Sequence, residues 1–216
     1  MTKDRIYLDY AASTPLDFLV KKAMGEAGKH FGNPSSIHTE GSKAKEIVEE
    51  SRKKIASVLG CKTGEIIFTS GGTESDNLAV FGLARRSANE GGGKHIITTK
   101  VEHPAVLEPC KQLEKEGFEI TYLDVDKNGF VNTEDVKKNL REDTILVSII
   151  YAQNEIGTIQ PIREIGLEIK NWKLKIGEKR HIFFHTDACQ ATNYLNLKVE
   201  TLGVDLLTLN ASKIYG

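Results

Sequence analysis

From residue 65 onward, short β-branched or aromatic runs alternate with longer stretches in which apolar residues recur at helical spacing. The runs are "EIIFTS" (65–70), "HIITTK" (95–100), "FEITYLD" (118–124), "TILVSII" (144–150), "HIFFHTD" (181–187) and "VDLLTLN" (204–210), and helical patterns occupy 73–89, 103–117, 133–140 and 162–172. This alternation predicts an α/β fold with a mostly parallel sheet. Upstream, residues 42–59 place Ile47, Val48, Ile55, Val58 and Leu59 at helical spacing with charges between them, and Gly60 stands where a C-cap is needed. The pattern predicts a surface helix packed on the core. Residues 28–41, "GKHFGNPSSIHTEG", carry no period and predict an ordered loop. "ANEGGGKH" (88–95) reads as a loop tip between helix and strand rather than a domain linker, and no internal repeat is visible.

The 216 residues are enough for one large domain or one and a half, with a substantial apolar core. Thirty acidic and twenty-nine basic residues leave a formal charge of −1, with no block of five like charges, so composition offers nothing to a nucleic acid or an anionic membrane. The opening "MTKDRIYLDY" has no apolar signal core, and no stretch approaches the ~18 uncharged apolar residues that span a bilayer. The expectation is a cytoplasmic protein with a small-molecule partner. Cys61, Cys110 and Cys189 are odd in number, far apart and without C-x-x-C spacing, which suggests neither a disulfide framework nor a thiolate zinc site.

Chemistry concentrates where apolar runs end. In "EIIFTSGGTESDNLAV" (65–80) a run leads through Ser70-Gly71-Gly72-Thr73 straight into a helix whose apolar side includes Leu78 and Val80. Backbone N–H groups can converge there on an anion; an ordinary βα turn with a threonine cap has the same composition. The segment is not a Walker A loop and lacks G-x-G-x-x-G. Asp187 ends "HIFFHTD", where an acid serves as a magnesium ligand, as the partner of a protonated ring nitrogen, or as a turn residue; Gln190 follows three positions on. Asn154, after "TILVSII", suits a phenolate oxygen or a turn. His103 opens a helix and can stack on a ring, shuttle a proton or cap the helix. "DVDKNGFVNTED" (124–135) imitates a calcium loop at positions 1, 3, 5 and 6. Asp135 stands where such a loop needs glutamate, and a strand pattern precedes it instead of a helix, so a strand turning through Asn128-Gly129 is the better reading. Lys213, in "DLLTLNASKIYG" (205–216), is either a lysine snorkelling from the end of a buried strand or an amine poised for a Schiff base.

Convergence separates these alternatives. The Ser70–Thr73 cup, Asn154, Asp187 and Lys213 each follow a different predicted strand at its C-terminal end, where ligands sit in open α/β sheets. A phosphate cup, a phenolate donor, an acid for a ring nitrogen and an amine are the contacts that pyridoxal 5'-phosphate requires.

The stretches "YLDYAASTP", "FGNPSSIHTEG", "EIIFTSGGTESDNLAV", "VEHPAV", "NEIGTIQPI", "HTDACQA" and "SKIYG" resemble, in order and spacing from residue 6 to the last, the cysteine desulfurases of the NifS/IscS-like group within the class-V aminotransferase superfamily. The resemblance implies the aspartate-aminotransferase type of fold (fold type I of the pyridoxal-phosphate enzymes) and a homodimer with the cofactor near the subunit interface. On this pattern residues 1–14 form an N-terminal segment and 15–216 an incomplete cofactor-binding large domain. It puts phosphate in the Gly72-Thr73 turn, His103 against the pyridine ring, Asn154 and Gln190 at the phenolic oxygen, Asp187 on the ring nitrogen and Lys213 as the Schiff-base lysine. The implied reaction takes L-cysteine to L-alanine and passes sulfur to a protein cysteine, then to an acceptor such as an iron–sulfur scaffold. Selenocysteine lyase, another class-V aminotransferase and a non-catalytic remnant are the alternatives.

Two departures stand out. Many members of the group have serine and histidine where this chain has Asn210 and Ser212; Ser212 can still donate to phosphate, but without a histidine's positive charge. The group's persulfide-forming cysteine and carboxylate-binding arginine lie in the half that would follow Gly216, and none of Cys61, Cys110 and Cys189 matches that nucleophile's place. The expectation is an N-terminal fragment, truncated just after its cofactor lysine.

Overall fold

A computed structural model describes residues 6–177 and 182–216. His181, first residue of "HIFFHTD", lies outside the described residues, as do the first five of the expected N-terminal segment. The chain divides into two compact units, one running to Phe68 and taking in Ala211–Gly216, the other comprising Thr69–Asn210.

The first unit holds two helices. α1, Phe18–Ala27, has no counterpart in the apolar pattern, and none of its residues is buried; it is fixed by Asp17, whose carboxylate caps Leu19 N at 2.7 Å. α2, Thr39–Leu59, begins one turn earlier than the pattern indicates because His38 caps it, Nδ1 accepting from Gly41 N. It ends as expected at Gly60, in the left-handed region at φ 68°. The buried stripe runs through Gly41, Ala44, Ala56 and Leu59. Val58, expected on the packed side, is 67% exposed, because a stripe centred on 44, 48, 55, 56 and 59 leaves position 58 on its flank. The glycine-rich loop before α2 is ordered by contact: a Cβ on Gly32 would lie 2.2 Å from Glu40 O, and one on Gly41 2.5 Å from Ser36 O.

"EIIFTS" does not form the expected strand. Thr63–Glu65 is a 3-10 turn, and among the described residues nothing forms a ladder with 66–69. Strand propensity measures fit to a pleated, half-buried surface. Ile67 is instead 69% exposed, while Arg52 donates to Ile66 O and lies 4.9 Å from the centre of the Phe68 ring.

The second unit is the α/β core. It runs α3 (Gly72–Asn89), β1 (His95–Thr99), α4 (Pro104–Lys115), β2 (Glu119–Leu123), α5 (Thr133–Asn139), β3 (Thr144–Ser148), α6 (Ile162–Ile176), β4 (Phe183–Asp187), α7 (Val199–Leu202) and β5 (Leu206–Thr208). The five strands are all parallel, in the order β2-β1-β3-β4-β5. β1 and β3 are buried along their whole length, which is why they read as unbroken runs rather than alternating ones. Between β2 and β3, Val125 and Val131 bridge around a turn with Gly129 at φ 83° and Asp126 Oδ1 accepting from Asn128 N and Phe130 N, so that carboxylate closes the turn. Leu78 of α3 is 51% exposed rather than apolar-side; the buried face is Gly72, Asp76, Ala79, Val80 and Ala84.

Leu113 of α4 is fully buried in the cluster that includes Val80, Ile96, Val106 and Leu146. Leu113→Ala is expected to cost about 2–5 kcal/mol, read from the urea midpoint at unchanged slope.

Because the chain leaves β1 for β2 and then crosses back to β3, the direction of winding reverses between β1 and β3. A crevice at the C-terminal strand ends is the expected place for a ligand in such a sheet.

Candidate active site

At the start of α3, Gly71 has φ 157° and ψ −177°, a conformation open essentially to glycine, and no side chain caps the helix. The first-turn N–H groups of an 18-residue helix are thereby left facing outward with the positive end of its dipole behind them. Thr73 is exposed beside them. Glu74 turns its carboxylate back to Ser70 N at 2.6 Å, and hydrogen bonding from Ser70 holds it below the ordinary carboxylate range. A Cβ on Gly72 would meet Cys189 Sγ at 3.0 Å and Asn210 Nδ2 at 3.5 Å. The cup, the turn after β4 and the turn after β5 therefore meet at a residue with no room for a side chain.

Asp187 ends β4 and is only 5% exposed; its Oδ1 accepts from Cys189 N at 2.9 Å, which fixes the carboxylate in a short turn. Gln190 and Asn154 both line an open cleft of about 420 Å³, together with Tyr194 and Leu195. Turn-making beside Asn154 falls to Gln153, whose Oε1 accepts from Glu155 N and Ile156 N. His103 caps α4, Nδ1 accepting from Ala105 N at 3.1 Å, which leaves the ring proton on Nε2. Asn210 is half-buried after β5.

Ser212 and Lys213 belong to the other unit, in the short turn Ala211–Lys213. Ser212 O accepts from both the N and the Oγ1 of Thr14, and Thr14 Oγ1 in turn accepts from Tyr215 N at 2.7 Å. Lys213 Nζ donates to Ala11 O at 3.0 Å and to Ala12 O. The lysine is thus anchored by the "YAAS" segment.

Sequence reasoning missed a buried polar cluster next to Asp187. His185, two residues back on the same face of β4, has Nδ1 2.8 Å from Ser148 Oγ and Nε2 3.0 Å from Thr208 Oγ1. Asp76 of α3 is 1% exposed, with Oδ1 3.6 Å from His185 Nε2. Glu102, 5% exposed, accepts through Oε1 from Thr99 Oγ1 at 2.7 Å and Ile150 N at 2.9 Å. Two signals were available: an acid on the stripe that also carries Ala79 and Val80, and a histidine inside an apolar run. Among the described residues no group of three His, Cys, Asp or Glu has metal-binding geometry, and no helix is long and apolar enough to cross a membrane.

Residues 6–216 match the family described as Aminotransferase class-V. The chain belongs to the class-V aminotransferase family. Its similar relatives include the cysteine desulfurase IscS of Dictyoglomus turgidum, 55% identical over 99% of this chain and 52% of the relative, and a protein named putative cysteine desulfurase IscS 1 of Bacillus subtilis, 50% identical over 99% and 54%. The chain thus spans about half the length of the curated relatives it matches. Among solved structures, SspA in complex with cysteine and a NifS-like protein each align with a TM-score of 0.90 at 38% identity, covering 98% of this chain and 58% and 56% of theirs. The α/β fold with a parallel five-stranded sheet matches these structures over about half of their chains, and pyridoxal phosphate is the cofactor that class-V aminotransferases use.

Proposed function

We propose that this chain is the cofactor-binding half of a pyridoxal-phosphate-dependent cysteine desulfurase, with residues 15–216 as an incomplete large domain behind the segment 1–14. The supporting observation is the meeting, at the C-terminal edge of a parallel sheet, of an uncapped helix N-terminus and a buried carboxylate with no lysine or arginine ion pair among the described residues. The residues present fit the cofactor. The α3 N-terminus offers N–H groups to a phosphate, the absence of a side chain at Gly72 lets Cys189 and Asn210 pack against that terminus, and Asp187 is an anion waiting for a cation.

In this reading Gly72, Thr73, Asn210 and Ser212 hold the phosphate. His103 lies against the ring while capping α4, Asn154 and Gln190 face the phenolic oxygen, and Asp187 holds a proton on the ring nitrogen. When bound, the cofactor supplies the electron sink that weakens the bond to a substrate α-proton. Lys213 holds the cofactor through Nζ and, once released, takes that α-proton. L-cysteine is the substrate and L-alanine the product. The sulfur goes to a protein cysteine and onward to iron–sulfur cluster or thio-cofactor assembly through an acceptor protein, in a homodimer.

The test is a visible absorption spectrum of the purified protein with pyridoxal phosphate, before and after borohydride. A protein-bound visible band that borohydride removes while fixing the cofactor to the chain supports the reading; a spectrum equal to that of the free cofactor ends it.

Residues 1–216 alone are expected to produce no sulfide or alanine from cysteine in turnover amounts. Sulfur transfer needs a reachable thiolate, and burial pushes Cys110 up to about 12 and also raises Cys61, while Cys189 is buried against the Gly72 turn. Positioning of a nucleophile and of the substrate carboxylate can carry ~7–11 kcal/mol of a barrier. The check is a sulfide and alanine assay with cysteine, cofactor and reductant; catalytic turnover lost in Lys213→Ala would show that one of these thiols, or the reductant, accepts sulfur.

A further inference from the structure

Three carboxyl groups are buried close together in the second unit, Asp76, Glu102 and Asp187, and among the described residues none pairs with a lysine or arginine. The nearest basic group to Asp76 is His185, and both of its ring nitrogens are engaged, by Ser148 and Thr208. Two carboxyl oxygens in the cluster have no hydrogen-bond partner at all, Asp76 Oδ1 and Glu102 Oε2. For Glu102 the asymmetry is informative. Oε1 accepts from both Thr99 Oγ1 and Ile150 N, whereas Oε2 is bare, and a bare anionic oxygen away from water is far costlier than a protonated one. Asp187 differs from both. It stands at the strand end, accepts a backbone N–H, and neither of its oxygens is left buried without a partner.

We propose that Asp76, Glu102 and His185 form a charge-neutral support behind Asp187, in which both acids keep a proton, His185 carries none, and the single negative charge is confined to Asp187. Asp76 and Glu102 are then positioning residues. They give Asp187 shape and dipoles without competing for the cation it faces, which, on the reading of Asp187 as the partner of the ring nitrogen, keeps that cation from being shared.

Electrostatics points the same way as the geometry. Burial, with the charge of Asp187 as a further cause, pushes Asp76 up to about 8; burial does the same to Glu102, and it pushes His185 down to about 4. The remaining titratable group facing Glu102 is Cys110 of α4, raised by burial to about 12 and un-ionised throughout this range. The native protein therefore holds two protons that the unfolded chain releases above about pH 4.5, and burial of both His185 and His95 opposes the two protons that those histidines bind in the unfolded chain below about 6.5. Below about pH 6.5 the two histidines offset the two acids, so cofactor-free protein loses stability chiefly as pH rises from about 6.5 to 8.

Infrared difference spectra of the cofactor-free protein at about pH 6.5 test the assignment. Asp76→Asn and Glu102→Gln are each expected to lose one protonated-carboxyl band and no carboxylate band, and Asp187→Asn to lose a carboxylate band. Loss of carboxylate absorption from either of the first two, or loss of the acid band from only one, overturns the proposal. Should a variant not fold, titration of the wild type decides. Two buried acid bands must persist at pH 6 and disappear near pH 8; disappearance below pH 6 overturns it. Asp76→Asn is also expected to reduce by one the protons released on unfolding, read from the pH dependence of the urea midpoint. With pyridoxal phosphate added, Asp76→Asn keeps the wild-type pH dependence of the ring absorption and Asp76→Ala shifts it. A protein that binds no cofactor removes the desulfurase reading and leaves the infrared result standing, so the two fail separately.

Discussion

Lys213→Ala eliminates borohydride-fixed cofactor and, in a chimera that continues residues 1–216 with the second half of the Dictyoglomus turgidum relative, lowers alanine formation from cysteine by at least about 10²–10⁴-fold. That range is what a positioned proton-transfer group contributes, before the loss of covalent attachment is added. Lys213→Arg separates chemistry from folding. A guanidinium still donates to the carbonyls of Ala11 and Ala12, so the turn at Ala211–Lys213 keeps its anchor, yet the side chain neither condenses with an aldehyde nor takes up a proton at neutral pH. Activity falls as far as in the alanine variant while the thermal midpoint stays near wild type. Peptide mapping of the borohydride-reduced wild type should place the label on Lys213; a label distributed over surface lysines rejects the assignment.

Asp187→Ala and Asp187→Asn both reduce exchange of the substrate α-proton in that chimera by about 10²–10³-fold, the range seen when one preorganised electrostatic contact is removed from a reaction centre. The two variants differ in stability. Asparagine keeps an acceptor for Cys189 N, whereas alanine removes that acceptor, at a cost of about 1–3 kcal/mol. Affinity for inorganic phosphate is unchanged in both, because the uncapped start of α3 is independent of the carboxylate. Exchange at the wild-type rate in either variant removes Asp187 from its role.

The order of the strands and longer helices in the second unit was legible because its inner strands β1 and β3 are buried along their whole length and its longer helices are amphipathic, so the two periods stand apart. The end of β4 could be read for the same reason, Asp187 being a polar residue that ends an apolar run, whereas Asn154 lies in a turn beyond the end of β3 at Ser148. Where one residue answers to two forces the pattern failed. Ile67 and Phe68 have strand composition, but a ladder needs a neighbour, and Phe68 is taken up by Arg52 instead. α1 was invisible because it buries nothing and so leaves no apolar stripe. Asp76, Glu102 and His185 went unnoticed because periodicity treats an acid or histidine in an apolar register as noise, whereas their importance lies in contacts across 48 residues, as from Glu102 to Ile150, or 37, as from Ser148 to His185.

The bonds between Thr14 and the segment 212–215 join residues 198 and 201 apart in sequence. On a ribosome adding about 5–20 residues per second, Thr14 waits on the order of 10–40 s for its partner to be made. Closing so long a loop costs little more than closing a shorter one, since each doubling adds only about 0.6 kcal/mol, so the delay is one of synthesis and not of thermodynamics. During that interval the Oγ1 and N of Thr14 have no acceptor at Ser212, and the carbonyls of Ala11 and Ala12 have no donor at Lys213. The segment that anchors the lysine is therefore secured only after the roughly 200 residues between the two have been made.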